Sequence, residues 1–311
     1  MTIRVVATAA EASAATGEAR AAGLKVGLVP TMGALHAGHS ALVERASREC
    51  GFVVATIFVN PLQFDDPGDL AAYPRDIDAD LERLEAASAD LVFVPSVAEI
   101  YPDDPSDPAV TVRVAGLTSI LEGAHRPGHF EGVTTVVAKL FAIAGACSAY
   151  FGEKDFQQLA VVRRMARDLR FPVDVLGCQT VREPEGLAIS SRNVRLTPDE
   201  RHRASVLYSA LSAGATAVSA GEDRPGVVEE AMRRVLGSEP AVEPEYAVVV
   251  DPATLLTPGR LFGEVRLLVA ARVGPVRLID NLGARVGAVP TAGLETDQNI
   301  EQEEMVKCAD G

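Results

Sequence analysis

The chain has no paired cysteines. Its four, Cys50, Cys147, Cys178 and Cys308, are scattered without a CxxC spacing, which argues against a disulfide framework or a zinc ribbon and suits reduced thiols. It also lacks any uninterrupted apolar run of about 18 residues, the length a membrane span requires. The opening MTIRVVATAAEASAATGEAR has no cationic segment followed by a long apolar one. Neither secretion nor a membrane partner is therefore expected, and the cytoplasm is the expected location. A basic excess is missing too: 29 Lys and Arg against 43 Asp and Glu give a net charge of −14. Binding a phosphate backbone needs a basic face, so no nucleic-acid partner is expected. Part of that acidity lies in the tail from about Thr291, where Glu295, Asp297, Glu301, Glu303, Glu304 and Asp310 face only Lys307. The body is less acidic than the total, which leaves room for a local cationic pocket. There is no Walker A sequence, no GxGxxG fingerprint, no GxSxG elbow and no internal repeat, which removes three common nucleotide-binding and hydrolase designs.

What is present is a 311-residue chain, 48% hydrophobic and 23% charged, long enough for one large domain or two modest ones. Short β-branched runs at Lys25–Val29, Val53–Val59, Leu91–Val94, Ala149–Phe151 and Pro172–Val181 alternate with helical spacing over Ser40–Glu49, Leu70–Ser88, Gly132–Gly145 and Phe156–Leu169. Strand–helix–strand succession predicts an α/β fold with a parallel sheet covered on both faces. From about Arg182 the texture changes. A helical region over Pro198–Ser219 and a second helix over Pro225–Leu236 precede three strand candidates, Tyr246–Val250, Val265–Ala271 and Val276–Ile279. Val273-Gly274-Pro275 reads as a hairpin turn between the last two. The expected units are residues 1–184, a smaller α+β unit at 185–288, and an acidic disordered tail at 289–311.

Five short segments carry chemistry. In Pro30-Thr31-Met32-Gly33-Ala34-Leu35-His36-Ala37-Gly38-His39, between a strand and a helix, His36 and His39 are three residues apart and share a face. Gly38 permits close approach, and free N–H groups with the positive helix end make an anion site. Zinc is the rival, though it needs a third ligand, and a plain surface pair fits as well. Asn60-Pro61-Leu62-Gln63 follows a strand, where α/β sheets gather ligands. Gln63 can donate to a substrate oxygen or simply cap a turn. His125-Arg126-Pro127-Gly128-His129 precedes a helix and fits either an anion site or ordinary capping. In Phe151-Gly152-Glu153-Lys154-Asp155-Phe156-Gln157-Gln158, Gly152 lets a nucleotide lie on the backbone, Lys154 offers a charge to phosphate, Asp155 can accept from ribose, and Gln158 reaches the same crevice. A solvated helix start has the same composition. Gly186-Leu187-Ala188-Ile189-Ser190-Ser191-Arg192-Asn193, at the unit junction, groups two hydroxyls with a guanidinium suited to phosphate, or is a polar linker. Four of the five histidines fall in these segments.

Together and in this order, the segments resemble the pantothenate synthetase family, from about Lys25 to Leu282 and including Arg277-Leu278-Ile279-Asp280-Asn281. His-x-Gly-His alone points only to the wider nucleotidyltransferase superfamily. FGEKD-x-QQ, HRPGHF-x-GV and GLA-x-SSRN narrow it to this family. The resemblance implies a Rossmann-like amino-terminal domain, a smaller α+β carboxyl-terminal lid domain and a homodimer. It implies ATP-dependent condensation of pantoate with β-alanine through a pantoyl-adenylate, releasing AMP and pyrophosphate. By motif match, His36 and His39 contact the triphosphate, Met32 lines the active site, and Gln63 and Gln158 hold pantoate. Gly152 and Asp155 serve adenosine, Lys154, Ser190, Ser191 and Arg192 serve phosphates, and Val181 packs near adenine. Tyr73 and Arg126 belong around the site or its rim. Mg²⁺ is expected on the ATP phosphates, with no protein ligand set. Ile189 stands where the family has Met, and Phe156 where it has a small residue; neither removes a polar group. A different adenylate-forming enzyme and a silent nucleotide-binding protein are the two other classes that the segments allow.

Overall fold

The computed structural model describes residues 3–64, 67–71, 73–103 and 108–287; the acidic tail expected at 289–311 lies outside them. Six strands form a parallel sheet: β1 (Arg4–Val6), β2 (Val26–Thr31), β3 (Phe52–Ile57), β4 (Leu91–Phe93), β5 (Cys147–Gly152) and β6 (Val173–Cys178). Their order is β1-β4-β3-β2-β5-β6. The chain winds outward from β2 in one direction and then returns to pair β5 on its other side. The crevice between the carboxyl ends of β2 and β5 is therefore the topological switch point, where open α/β sheets bind ligands.

Alternation along each strand builds the two faces. Leu28, Val54, Phe93, Ala149 and Phe151 pack with the helices Ala9–Ala21, His129–Ala144 and Phe156–Asp168. Val29, Val53, Ala55, Val92 and Tyr150 point the other way, onto the helices Ala37–Glu49 and Ile77–Ala86. Both faces being covered explains why these strands read as continuous apolar runs. No helix among the described residues is long and apolar enough to cross a membrane.

A second sheet, antiparallel, consists of β7 (Val242–Val250), β8 (Glu264–Val273) and β9 (Val276–Arg285) in that order. The helices Val206–Ser219 and Pro225–Leu236 cover it through Leu207, Leu211, Val228, Met232 and Leu236. Gly274 at φ +55 opens the two-residue turn between β8 and β9, a conformation glycine adopts without Cβ strain.

Two expectations need correction, and two further elements were not expected. The single helix over Leu70–Ser88 is two, Pro67–Ala71 and Ile77–Ala86. Pro74 cannot continue a helix, and Asp76 starts the second one by accepting from the Ala79 N–H. The helical region Pro198–Ser219 breaks at Ser205 into Pro198–Ala204 and Val206–Ser219. The edge strand β1 and its helix Ala9–Ala21, the latter opened by a Thr8–Glu11 capping box, carry no strong apolar period and escaped the sequence reading.

Candidate active site

The loop after β2 leads straight into the helix Ala37–Glu49, and His36 is that helix's N-cap. Serine, threonine or an acid usually takes this place. Here the Gly38 N–H donates to His36 Nδ1 at 3.2 Å, and the His36 N–H donates to His39 Nδ1 at 3.3 Å. The two rings lie 4.1 Å apart between centroids. A Cβ on Gly38 would come within 2.9 Å of His36 Cε1, so the folded-back ring requires glycine there. An imidazole that accepts at Nδ1 and is neutral carries its hydrogen on Nε2. Burial, with Lys154 adding to it, lowers the His36 pKa to about 4; burial followed by the charge of His36 lowers His39 to about 3. The pair thus presents two neutral Nε2–H donors.

The loop itself is pinned from below. Asp80, buried on the helix Ile77–Ala86, accepts from the Ala34 N–H at 2.9 Å and the Leu35 N–H at 2.7 Å. Gly33 sits at φ +81, and a Cβ there would meet Asp80 Oδ2 at 2.9 Å. Tyr73 donates to the Gly33 carbonyl at 3.4 Å, which places it against this loop. Sequence reading missed Asp80; a lone acid on a helix looks like a solvated face.

Across the switch point, β5 ends at Gly152 and the turn Glu153–Asp155 opens the helix Phe156–Asp168. Lys154 Nζ lies 3.3 Å from Asp155 Oδ1. Desolvation pulls the Asp155 carboxyl up, but Lys154 and Arg192 hold it below the ordinary range. Lys154 and Asp155 both act electrostatically on His36 and His39. A Cβ at Gly152 would meet no protein atom within 4 Å, and its φ of −70 suits any residue. Packing therefore gives no reason for glycine, and the open space beside it faces the crevice end of the strand.

A cavity of about 380 Å³ adjoins this turn, with Lys154, Asp155, Gln158, Arg192, Arg126 and Arg277 among its walls. Gln63 is buried in the turn Pro61–Gln63. Its side-chain oxygen accepts from Asn60 Nδ2 at 3.0 Å, and its carbonyl accepts from Arg126 at 2.8 Å and His129 Nδ1 at 2.9 Å. Fixing that oxygen leaves the amide nitrogen as the end Gln63 presents. Asn60 is the hub of this corner. It also donates to the Gly132 carbonyl and accepts from the Tyr101 hydroxyl at 2.9 Å.

Arg192 follows Ser190, whose Oγ accepts from the Arg192 N–H at 3.3 Å and caps the turn Ser191–Arg195. Arg192 is exposed and Ser191 half-buried. Val181 accepts at its carbonyl from the Ile189 N–H at 3.0 Å and lines neither this cavity nor a second one. That second cavity, about 550 Å³ and mostly apolar, lies at the ends of β2, β3 and β4. Met32 lines it. The structure thus brings Lys154 and Asp155 within electrostatic reach of His36 and His39, sets Arg192 within reach of Asp155, and places Gln158 in the same cavity wall as Lys154 and Arg192. His36, His39, Gln63, Gly152, Ser190 and Ser191 are not among the residues lining that cavity, and neither are Met32 and Val181.

Phe156 is covered by the Arg266 guanidinium 4.2 Å from its ring centroid. Arg266 also pairs with Glu153 at 3.0 Å. The extra aromatic bulk thus has a partner on β8.

A sequence profile described as pantoate-beta-alanine ligase matches residues 4–283. A pantothenate synthetase of Chloroflexus aggregans is 52% identical over 280 residues, covering 90% of this chain and 99% of that protein. The crystal structure of pantothenate synthetase from Thermus thermophilus superposes with a TM-score of 0.83 at 49% identity, over 90% of this chain and 99% of the other. A pantoate-beta-alanine ligase from Francisella tularensis, described in complex with beta-gamma ATP and beta-alanine, superposes with a TM-score of 0.72 at 31% identity, over 90% of this chain and 97% of that one.

Proposed function

The chain belongs to the pantoate–β-alanine ligase family, and from that premise we infer that it condenses pantoate with β-alanine to pantothenate, using ATP. The reaction runs in two steps. The pantoate carboxylate attacks the α-phosphorus of ATP, giving a pantoyl-adenylate and pyrophosphate. The β-alanine amine then attacks the activated carbonyl and releases AMP.

The observation that carries this reading is the pair of neutral His36 and His39 donors at the helix start, on which Lys154 and Asp155 act electrostatically, with Arg192 acting in turn on Asp155. Negative charge grows on the bridging oxygen and the departing pyrophosphate during the first step. Donors already oriented toward that charge are worth about 3–4 kcal/mol each. His36 and His39 act as neutral hydrogen-bond donors, with their orientation fixed by the helix start. Lys154, Arg192, Ser190 and Ser191 serve the phosphates, the serine at 190 through a turn it also caps. Gly152 and Asp155 serve adenosine, with Met32 and Val181 at the margins of the nucleotide site. Gln63 and Gln158 hold pantoate by amide donors. The second step needs β-alanine held against the adenylate, a gain from proximity.

The donor set is cationic or neutral N–H together with serine O–H, a chemistry that fits phosphate oxygens better than a bare divalent cation. Mg²⁺ would then be held by the ATP phosphates beside Lys154 and Arg192, where it would neutralise phosphate charge. Residues 1–184 and 185–288 are taken as the two working units. A homodimer in the cytoplasm completes the reading, and sedimentation of the purified chain checks the dimer. Pyrophosphate release should require pantoate, and pantothenate should form only when β-alanine is added. Pyrophosphate release without pantoate would refute the assignment.

A further inference from the structure

The turn that carries Lys154 is held by a residue far along the chain. Asn281 on β9 is buried, and its Nδ2 donates to the Glu153 carbonyl at 2.9 Å and to the Lys154 carbonyl at 2.8 Å. An amide could in principle flip, but here it cannot. Arg266 Nε donates to Asn281 Oδ1 at 2.7 Å, which fixes the oxygen and leaves both hydrogens for the two carbonyls. The same Arg266 pairs with Glu153 and lies over Phe156. The peptides on both sides of the Lys154 α-carbon therefore answer to strands β8 and β9.

The neighbouring residue reaches the other cation-bearing loop. Asp280 takes a two-pronged pair from Arg182, at 2.6 Å and 3.0 Å, and Arg182 also donates to the Asn281 carbonyl at 3.1 Å. Arg182 in turn donates to the Gly186 carbonyl at 2.9 Å and bridges Ala188, at the base of the loop that runs on to Ser190 and Arg192. Asp280 Oδ1 accepts from the Asn281 N–H at 2.7 Å, so the two residues are locked to each other. One dipeptide on β9 thus touches the supports of both loops.

We propose that Asn281 is a positioning residue: it sets the place of the Lys154 peptide relative to the Arg182–Arg192 loop, and it acts on the reaction through Lys154 alone. The inference rests on the reading of Lys154 as a phosphate-binding group. Side chains displaced by about 1 Å from a productive geometry can lose about 10²-fold in rate. Asn281→Asp is nearly isosteric and keeps the acceptor for Arg266, but it turns two donors into an anion facing two carbonyls. Asn281→Ala removes the same bonds without adding charge and serves where the aspartate variant folds poorly.

The test is a double-mutant cycle in pantoate-dependent ATP–pyrophosphate exchange, with melting temperature recorded for each variant. Either substitution at 281 should lower the exchange kcat by about 10²-fold, with a smaller change in the KM for ATP. In a Lys154→Ala background the same substitution should cost less than about threefold more, because the group it positions is gone. A full second loss in that background, equal to the first, would overturn the inference by showing a general structural role. Normal exchange in the 281 variants alongside a disabled Lys154→Ala would overturn it alone. Normal exchange in Lys154→Ala would bring down the reading of the lysine itself, and this inference with it.

Discussion

A histidine that caps its own helix, and is buried there, uncouples its charge from pH across the range where free histidine titrates. With burial pushing His36 to about 4 and His39 to about 3, neither imidazole gains a proton in the range where free histidine does. The exchange half-reaction should therefore stay flat from about pH 5 to 8 as far as these two groups act; an acidic limb near 6.5 that vanishes in His36→Ala would contradict the neutral-donor assignment. Stability, unlike exchange, should depend on pH in this range. The folded pKa values lie below the unfolded one, so between about 6.5 and 4 the unfolded chain binds more protons and stability falls as pH falls. His39→Asn should flatten that part of the melting-temperature profile relative to the parent protein. His36→Ala and Lys154→Ala should each lower adenylation by about 10²-fold or more in protein that still folds. Gly152→Ala has no protein atom to collide with, so melting should stay within about 1 °C, the scale of a surface change, while the KM for ATP rises. An unchanged KM would mean that the space beside Gly152 is not where the nucleotide lies.

Helices and strands show why some of this was readable and some was not. The apolar runs of β2, β3, β4 and β5 announce themselves because both faces are covered. The strand–glycine–helix junctions at His36–His39 and Gly152–Asp155 are likewise local, each confined to a short stretch of sequence. Asp80, Asn60, Asn281 and Arg266 are different. Each acts on a partner tens of residues away or more, such as Ala34 from Asp80 and Lys154 from Asn281, so no spacing rule marks them. Phe156 likewise finds its partner, Arg266, more than a hundred residues away. Tyr73-Pro74 ended a helix that apolar spacing alone carried through. Asp80 gives the prediction that belongs to this scale. Asp80→Ala orphans the Ala34 and Leu35 N–H groups, at roughly 1–3 kcal/mol for each buried donor, and frees the loop that delivers His36. Denaturant unfolding should show that loss, and exchange should fall further than stability explains. Asp80→Asn keeps one acceptor and should be milder on both counts; equal defects in the two variants would argue that charge, not the paired acceptors, is what the loop needs.

Across the whole molecule, Val250, Leu255 and Leu268 pack into the same apolar core as the first sheet, and polar contacts tie the second sheet to the first unit at two further places. Asn281 and Arg266 bind the Glu153–Lys154 turn. Farther along, Arg277 makes a two-pronged pair with Glu122, at 2.6 Å and 2.8 Å, while Tyr246 donates to Glu122 at 2.8 Å. Both members of the ion pair are largely buried, at 15% and 12% side-chain exposure. Breaking such a pair by removing one partner costs about 3–5 kcal/mol. A rigid swing of the whole β7–β9 unit away from the cleft would have to break both ties at once. The loop Glu183–Arg195 has no comparable anchor on the first sheet among the described residues; its ties run within itself and to the helix that follows, as from Asn193 to Glu183 and from Arg201 to Glu183. Closure over the nucleotide should therefore be a loop event. Hydrogen exchange with ATP and pantoate should slow within about residues 186–195 and leave the β7–β9 amides unchanged. If instead the amides of β9 and of the Glu122 segment change together, the ties yield during turnover and the unit moves as a body. Arg277→Met should separate the two cases further: under loop closure it lowers the melting temperature but leaves the ATP-dependent protection at 186–195 in place.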